Sequence, residues 1–224
     1  MLFRSLHRAV RVLTSGRGSN LQAILDEIAA GRLNAAVKVV VADVADAFAL
    51  ERARRAGIPA VFVDPKGPGG KAAYEPRVVD VLRAHGVELV ALAGYMRICG
   101  PALLAAFPGH ILNIHPSLLP SFPGLHVQRQ AIEHGARFSG CTVHFVDAGV
   151  DTGPIVAQAV VPVLDADTED TLAARILRQE HRVYPYAIRL FAEGRLRLEG
   201  RRVLVDAPAP GAGDLAIIHP PLLT

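Results

Sequence analysis

Tryptophan is absent from this chain of 224 residues, cysteine occurs only twice, and aromatic residues make up 5%. Cys99 and Cys141 stand in separate segments with no CxxC or cysteine–histidine spacing, which excludes a disulfide scaffold and reads as two free thiols of a reducing compartment. No apolar run approaches the roughly 20 residues that span a bilayer. Met1 to Arg8 lack the apolar core and cleavage site of a signal peptide, so the expected location is the cytoplasm. Blocks of like charge are missing too: Lys and Arg number 24 against 21 Asp and Glu, a net +3 with no basic arm for nucleic acid. The expected partners are therefore small molecules, with neither nucleic acid nor membrane. The nine histidines form no HExxH and no other metal spacing, and no G-x-S-x-G elbow supports a serine nucleophile. What is present is 51% apolar residues, enough to bury one large core.

Those apolar residues alternate between strand and helix periods. Ala9–Thr14 reads as a strand, SGRGSN as a tight loop, and Leu21, Ile24, Leu25 and Ile28 as one helical face. Ser19 and Gln22 have the spacing of a capping box, and Gly31 reads as the helix stop. Val37–Ala42 is a second strand, Asp46 to Gly57 a helix, and Ala60–Val63 a third strand. After the loop DPKGPGG, Tyr74, Val78, Val79 and Leu82 lead a helix into the apolar run Leu89–Ala93. A second half follows: helical PALLAAF, strand Ile111–Ile114, helix His126–His134, and strands near 139–146 and 155–163. Continuous apolar strands are buried on both faces, so the expected fold is α/β, an open and mostly parallel twisted sheet. A long helix from Thr168 to about Ala192 should kink or break at Pro185, and a hairpin turning at Glu199-Gly200 ends the single domain at residue 205. Residues 206–224 read as a proline-rich tail.

Three segments could carry chemistry. The loop Ser15-Gly16-Arg17-Gly18-Ser19-Asn20 joins the first strand to the first helix, where backbone N–H groups hold anions. Leu21 replaces the third glycine of a dinucleotide fingerprint. The other glycine cluster, GPGGKA, fails as a P-loop because Ala72 follows Lys71. Asn113 and His115 stand two apart at the end of a buried strand, so an amide and an imidazole leave the same face. Asp151 lies in the turn DAGVDTGP, where Asp147 is an equally plausible turn-former. Gly94-Tyr95-Met96-Arg97-Ile98 follows another apolar strand end.

SGRGSNLQAI, DAFALERARRAGIP, LAGYMRI, ILNIHPSLLPSFPGLH, VDTGPIVAQAVVPV and QEHRVYP closely resemble, in this order, the phosphoribosylglycinamide formyltransferases of purine biosynthesis. The likeness runs from about residue 8 to 205. It implies a Rossmann-like formyltransferase fold and 10-formyltetrahydrofolate as co-substrate, without a metal. By position it implies that Gly18, Ser19 and Asn20 bind the phosphate of the ribonucleotide and that Glu180 contacts its glycinamide. Met96, Arg97 and Ile98, with Asn113, would line the folate pocket, and Asn113, His115 and Asp151 would be catalytic. Lys71 stands where bacterial members carry a folate-binding Arg, so a planar fork is exchanged for a point charge.

The resemblance implies direct attack of the substrate amine on the formyl carbon. Asn113 and a protonated His115, charged by Asp151, would donate to the oxyanion. Methionyl-tRNA formyltransferase would need a further C-terminal domain, and formyltetrahydrofolate deformylase an N-terminal one, for which the chain leaves no room. A non-catalytic folate or nucleotide-binding module need not retain Asn113, His115 and Asp151 together. A dehydrogenase would have only Asp43 as its ribose acid. A monomer or a homodimer is compatible with all of this.

Overall fold

The computed structural model describes residues 8–86 and 88–206, so the stretch from residue 207 that was read as a tail lies outside the described residues. Seven strands form one sheet in the order β3-β2-β1-β4-β5-β6-β7. β1 (Arg8–Thr14), β2 (Ala35–Ala42), β3 (Ala60–Phe62), β4 (Leu89–Leu92) and β5 (Ile111–His115) pair in parallel, and β6 (Phe138–Phe145) and β7 (Ile155–Pro162) add antiparallel ladders. The chain winds outward from β1 to β3 and then returns to place β4 on the other side of β1. That reversal opens a crevice beyond the carboxyl ends of β1 and β4, where open α/β sheets place their ligands.

Both faces of the sheet are covered, as the continuous apolar strands require. On one face α1 (Ser19–Ala29), α2 (Phe48–Arg55), α5 (Val127–Glu133) and α6 (Glu169–Ala192) bury Leu21, Ile24, Leu50, Ala131, Leu172 and Ile176 against Val10, Val12 and Val143. On the other, α3 (Gly70–Ala84) and α4 (Pro101–Ala106) bury Tyr74, Val78, Leu82 and Leu103 against Leu13, Val41 and Val90. The fully buried Tyr184 of α6 shares its hydroxyl hydrogen between the carbonyls of Leu92 and Leu112, 3.0 Å from each, and so pins α6 to β4 and β5. The hairpin β8 (Leu196–Glu199) and β9 (Arg202–Val205) closes the domain, and Asp206 still bonds Arg195 through its N–H.

Three local expectations are corrected. α6 continues as one 24-residue helix through Pro185, because the buried ring is held in the core and only one backbone hydrogen bond is forfeited. The capping box at Ser19 does not form: Gly18, at φ 68°, is the N-cap, so Ser19 is already helical. α2 starts at Phe48 behind the N-cap Ala47, two residues later than Asp46.

Candidate active site at the sheet crevice

The glycine loop lies at the mouth of the crevice. Gly18 adopts a left-handed conformation that glycine reaches without penalty, and a Cβ there would fall 2.6 Å from the Cβ of Ala49. No side chain caps α1 among the described residues, so its first-turn N–H groups remain open at the positive end of the helix. The adjoining loop is tied on directly: Ser15 N–H donates to Gly94 O, and Met96 N–H donates to Ser15 Oγ, both at 3.0 Å.

Asn20, in the first turn of α1, is buried and donates from Nδ2 to Glu180 Oε2 at 2.8 Å. Burial raises the Glu180 carboxyl above its ordinary range, and the Asn20 hydrogen bond only partly opposes that. Two of the positions assigned to ribonucleotide recognition thus meet across 160 residues of chain.

Asn113 faces His144 across the β5–β6 ladder, and His115 follows on the same face. Asn113 lies opposite Leu92 of β4, which itself pairs with Leu13 of β1, so two strand spacings of about 5 Å each separate it from the glycine-loop strand. The acceptor-only carbonyl of Phe145, 2.9 Å from His144 Nδ1, places a hydrogen on that nitrogen. Asn113 Nδ2 lies 3.2 Å from His144 Nε2, and its amide carries a second hydrogen beyond that contact. His115 donates from Nε2 to Phe122 O at 2.9 Å, and its Nδ1 stands 3.4 Å from Asp151 Oδ2. Asp151 also accepts from Gly124 N–H at 2.9 Å and lies 3.6 Å from His144 Nε2.

The protonation states follow from burial. Desolvation pushes the His115 imidazole below the usual histidine range, and neither the Phe122 carbonyl nor the Asp151 charge restores it, while His144 opposes them. Burial thus works against the resting imidazolium expected from the neighbouring carboxylate. Burial would raise the Asp151 carboxyl, but His144, the Gly124 N–H and the His115 field together hold it below the usual range. Asp147 is the turn-former of the pair, accepting from Gly149 N–H and Thr152 Oγ at 3.1 and 2.6 Å.

Met96, Arg97 and Ile98, expected to line a folate pocket, follow the end of β4. Met96 and Ile98 expose 69% and 73% of their surface at the crevice rim, where a flat aromatic ring could cover them. Arg97 Nε donates to Asp43 Oδ2 at 2.7 Å, and the guanidinium lies 5.0 Å over the Tyr74 ring. Lys71 is exposed in the first turn of α3, three residues before Tyr74. A cavity of about 490 Å³ adjoins Asp151 from the side of the hairpin, lined by Leu119, Pro120, Pro123 and Arg201, but neither the glycine loop nor Met96–Ile98 borders it. Among the described residues no group of His, Cys, Asp or Glu could hold a metal ion, and no helix is long and apolar enough to cross a membrane. Both cysteines are free and buried, which pushes their thiols up to about 12.

The family described as formyl transferase matches residues 8–188. The chain belongs to that family. Within it, this formyl transferase is 44% identical over 195 residues to the phosphoribosylglycinamide formyltransferase of Escherichia coli strain K12, covering 87% of this chain and 92% of the relative. Its fold superposes on the crystal structure of glycinamide ribonucleotide transformylase 1 from Symbiobacterium toebii with a TM-score of 0.89 and 57% identity, over 92% of this chain and 97% of that one. A formyltetrahydrofolate deformylase from Pseudomonas syringae pv. tomato shares the fold at a TM-score of 0.84, but at 26% identity and over 67% of its own length.

Sequence reading of this formyl transferase missed His144. Its signal was present: Thr142 and His144 alternate with Cys141, Val143 and Phe145, placing two polar side chains on the face that Asn113 and His115 share. The Phe122 carbonyl, which receives the His115 hydrogen, had no signal at all, because main-chain groups carry none.

Proposed function

We propose that this formyl transferase moves the formyl group of 10-formyltetrahydrofolate to the amine of 5′-phosphoribosylglycinamide at the Asn113–His115–Asp151 cluster. An activity of this kind agrees with 44% identity to a phosphoribosylglycinamide formyltransferase along nearly the whole of both chains. The observation that carries the catalytic assignment is the meeting, at one strand end, of the Asn113 amide, the His115 imidazole and the Asp151 carboxylate.

The amine nitrogen attacks the formyl carbon, a C–N bond forms, and the carbonyl π pair moves onto oxygen. Asn113 donates its second amide hydrogen to that oxyanion, a contribution typically worth about 10² to 10³ in rate. His115 Nδ1 takes the proton that the amine loses, and Asp151 Oδ2, 3.4 Å away, stabilises the imidazolium so formed. Developing negative charge on the formyl oxygen favours the same charged form. When the intermediate collapses, the bond to N10 of the folate breaks and the proton passes from His115 to N10. No covalent enzyme intermediate is needed.

The glycine loop and the open N–H groups of α1 take the ribonucleotide phosphate, Glu180 its glycinamide end, and the Met96–Ile98 rim the folate. The test is an assay of the purified protein with both substrates, with water as the competing acceptor. Formyl transfer to the amine supports this reading, and release of formate alone replaces it with the deformylase reading.

A further inference from the structure

The glycine loop leans on α2 through its carbonyl groups. Ala49 N–H donates to Gly16 O at 3.2 Å, and Arg52 Nε–H donates to Arg17 O at 2.9 Å. Across a trans peptide the C=O of one residue and the N–H of the next point in opposite directions. Anchoring the Gly16 and Arg17 carbonyls on α2 therefore turns the N–H groups of Arg17 and Gly18 away from α2. Because α2 packs over β2 and β3, that direction leads back over β1 towards the crevice.

One side chain makes this anchorage rigid. Arg52 Nη1 donates to Gln22 Oε1 at 3.0 Å in the first turns of α1, and the guanidinium lies 4.9 Å over the ring of Phe48. Its Cδ stands 3.4 Å from where a Gly18 Cβ would be, so the arginine stem also walls the left-handed turn. We propose that Arg52 is a positioning residue for the ribonucleotide: it aims the loop amides at the phosphate without touching any reacting atom. The proposal rests on the reading of this loop as the phosphate subsite. Two acceptors on different elements need the planar fork of an arginine; a lysine carries the same charge at a single point.

The experiment compares Arg52→Gln, Arg52→Lys and Phe48→Leu with Ser19→Ala, by steady-state kinetics in each substrate, competition by inorganic phosphate and thermal melting. Loss of a hydrogen bond from a charged donor predicts a ribonucleotide KM about tenfold higher in Arg52→Gln. Phosphate inhibition should weaken in parallel, with kcat and the folate KM within about twofold of wild type. Arg52→Lys recovers only part of the loss, and Phe48→Leu, which frees the guanidinium but keeps its charge, gives a smaller rise. A lower melting temperature without any change in the ribonucleotide KM would reduce Arg52 to a structural tie and overturn the proposal. Full recovery by lysine would overturn it as well, because charge alone would then suffice. Should Ser19→Ala raise the ribonucleotide KM while the Arg52 variants do not, only the Arg52 inference fails; if none of the four variants moves it, the phosphate assignment fails too.

Discussion

Asn20 Nδ2 and Glu180 Oε2 lie 2.8 Å apart, joining the first helix of the domain to the last, and this is the only hydrogen bond that the structure gives the Glu180 carboxylate among the described residues. A buried carboxyl with a raised pKa adds stability only below the ordinary Glu range and loses it as the pH rises through the folded value. Glu180→Gln keeps the shape and the acceptor for Asn20 but removes the charge. At pH 7 its melting temperature should match or exceed wild type, while the ribonucleotide KM rises roughly tenfold or more. Calorimetry and initial rates with each substrate varied check this; a several-degree fall in melting temperature with unchanged KM contradicts it.

Asn113→Ala removes the proposed oxyanion donor and, of the residues expected to line the folate pocket, changes only this one. The expected result is a kcat lower by about 10² to 10³, with both KM values within a few fold. Single-turnover rates with both substrates saturating isolate the step, and turnover near wild type would remove Asn113 from the chemistry.

His115 titrates below the histidine norm because it is buried, so the folded state binds fewer protons there than the unfolded chain. Stability should fall as the pH drops below about 6.5, the unfolded value, and keep falling until the lower folded value is reached. His181 is lowered in the same way, so His115→Asn should flatten only part of this acid limb in urea midpoints measured from pH 7.5 to 5. Turnover should decline over the same acid range as the neutral base is lost. A kcat that instead climbs on acidification points to a resting imidazolium and defeats the neutral-base assignment.

Gly18→Ala must place a Cβ in the left-handed region and 2.6 Å from the Cβ of Ala49. Strain and overpacking together predict a loss of roughly 2–4 kcal/mol in chemical denaturation. The ribonucleotide should bind more weakly, and folate affinity should hold.

Lys71 is exposed, so its pull on a folate carboxylate is a screened, long-stem attraction. Lys71→Ala is expected to raise the folate KM a few fold at low salt and by much less at 0.5 M, a concentration at which the Debye length is only about 4 Å. A salt-independent effect would mean that a desolvated contact has been lost.

Patterns within one or two elements were open to a reader of the sequence. The strand–helix alternation, the glycine loop at the end of β1, and the shared face of Asn113 and His115 all follow from periods of two and 3.6 residues and from glycine placement. The Ser19 capping box failed because a left-handed Gly18 and a neighbouring Ala49 decide where α1 begins, and Ala49 is 31 positions away. Pro185 failed as a breaker because helix packing supplies more than a single backbone bond costs.

What this chain determined by itself was its class of fold, the glycine loop after the first strand and the chemical types at the strand end, since those depend on neighbouring residues and covalent geometry. Only the tertiary structure decided that burial lowers the His115 pKa, that Glu180 is buried against Asn20, and that His144 and the Phe122 carbonyl join the cluster. Protonation is set by how much water is removed around a group, and the partners that remove it come from β5, β6 and the loops after them, which meet only when the sheet is assembled.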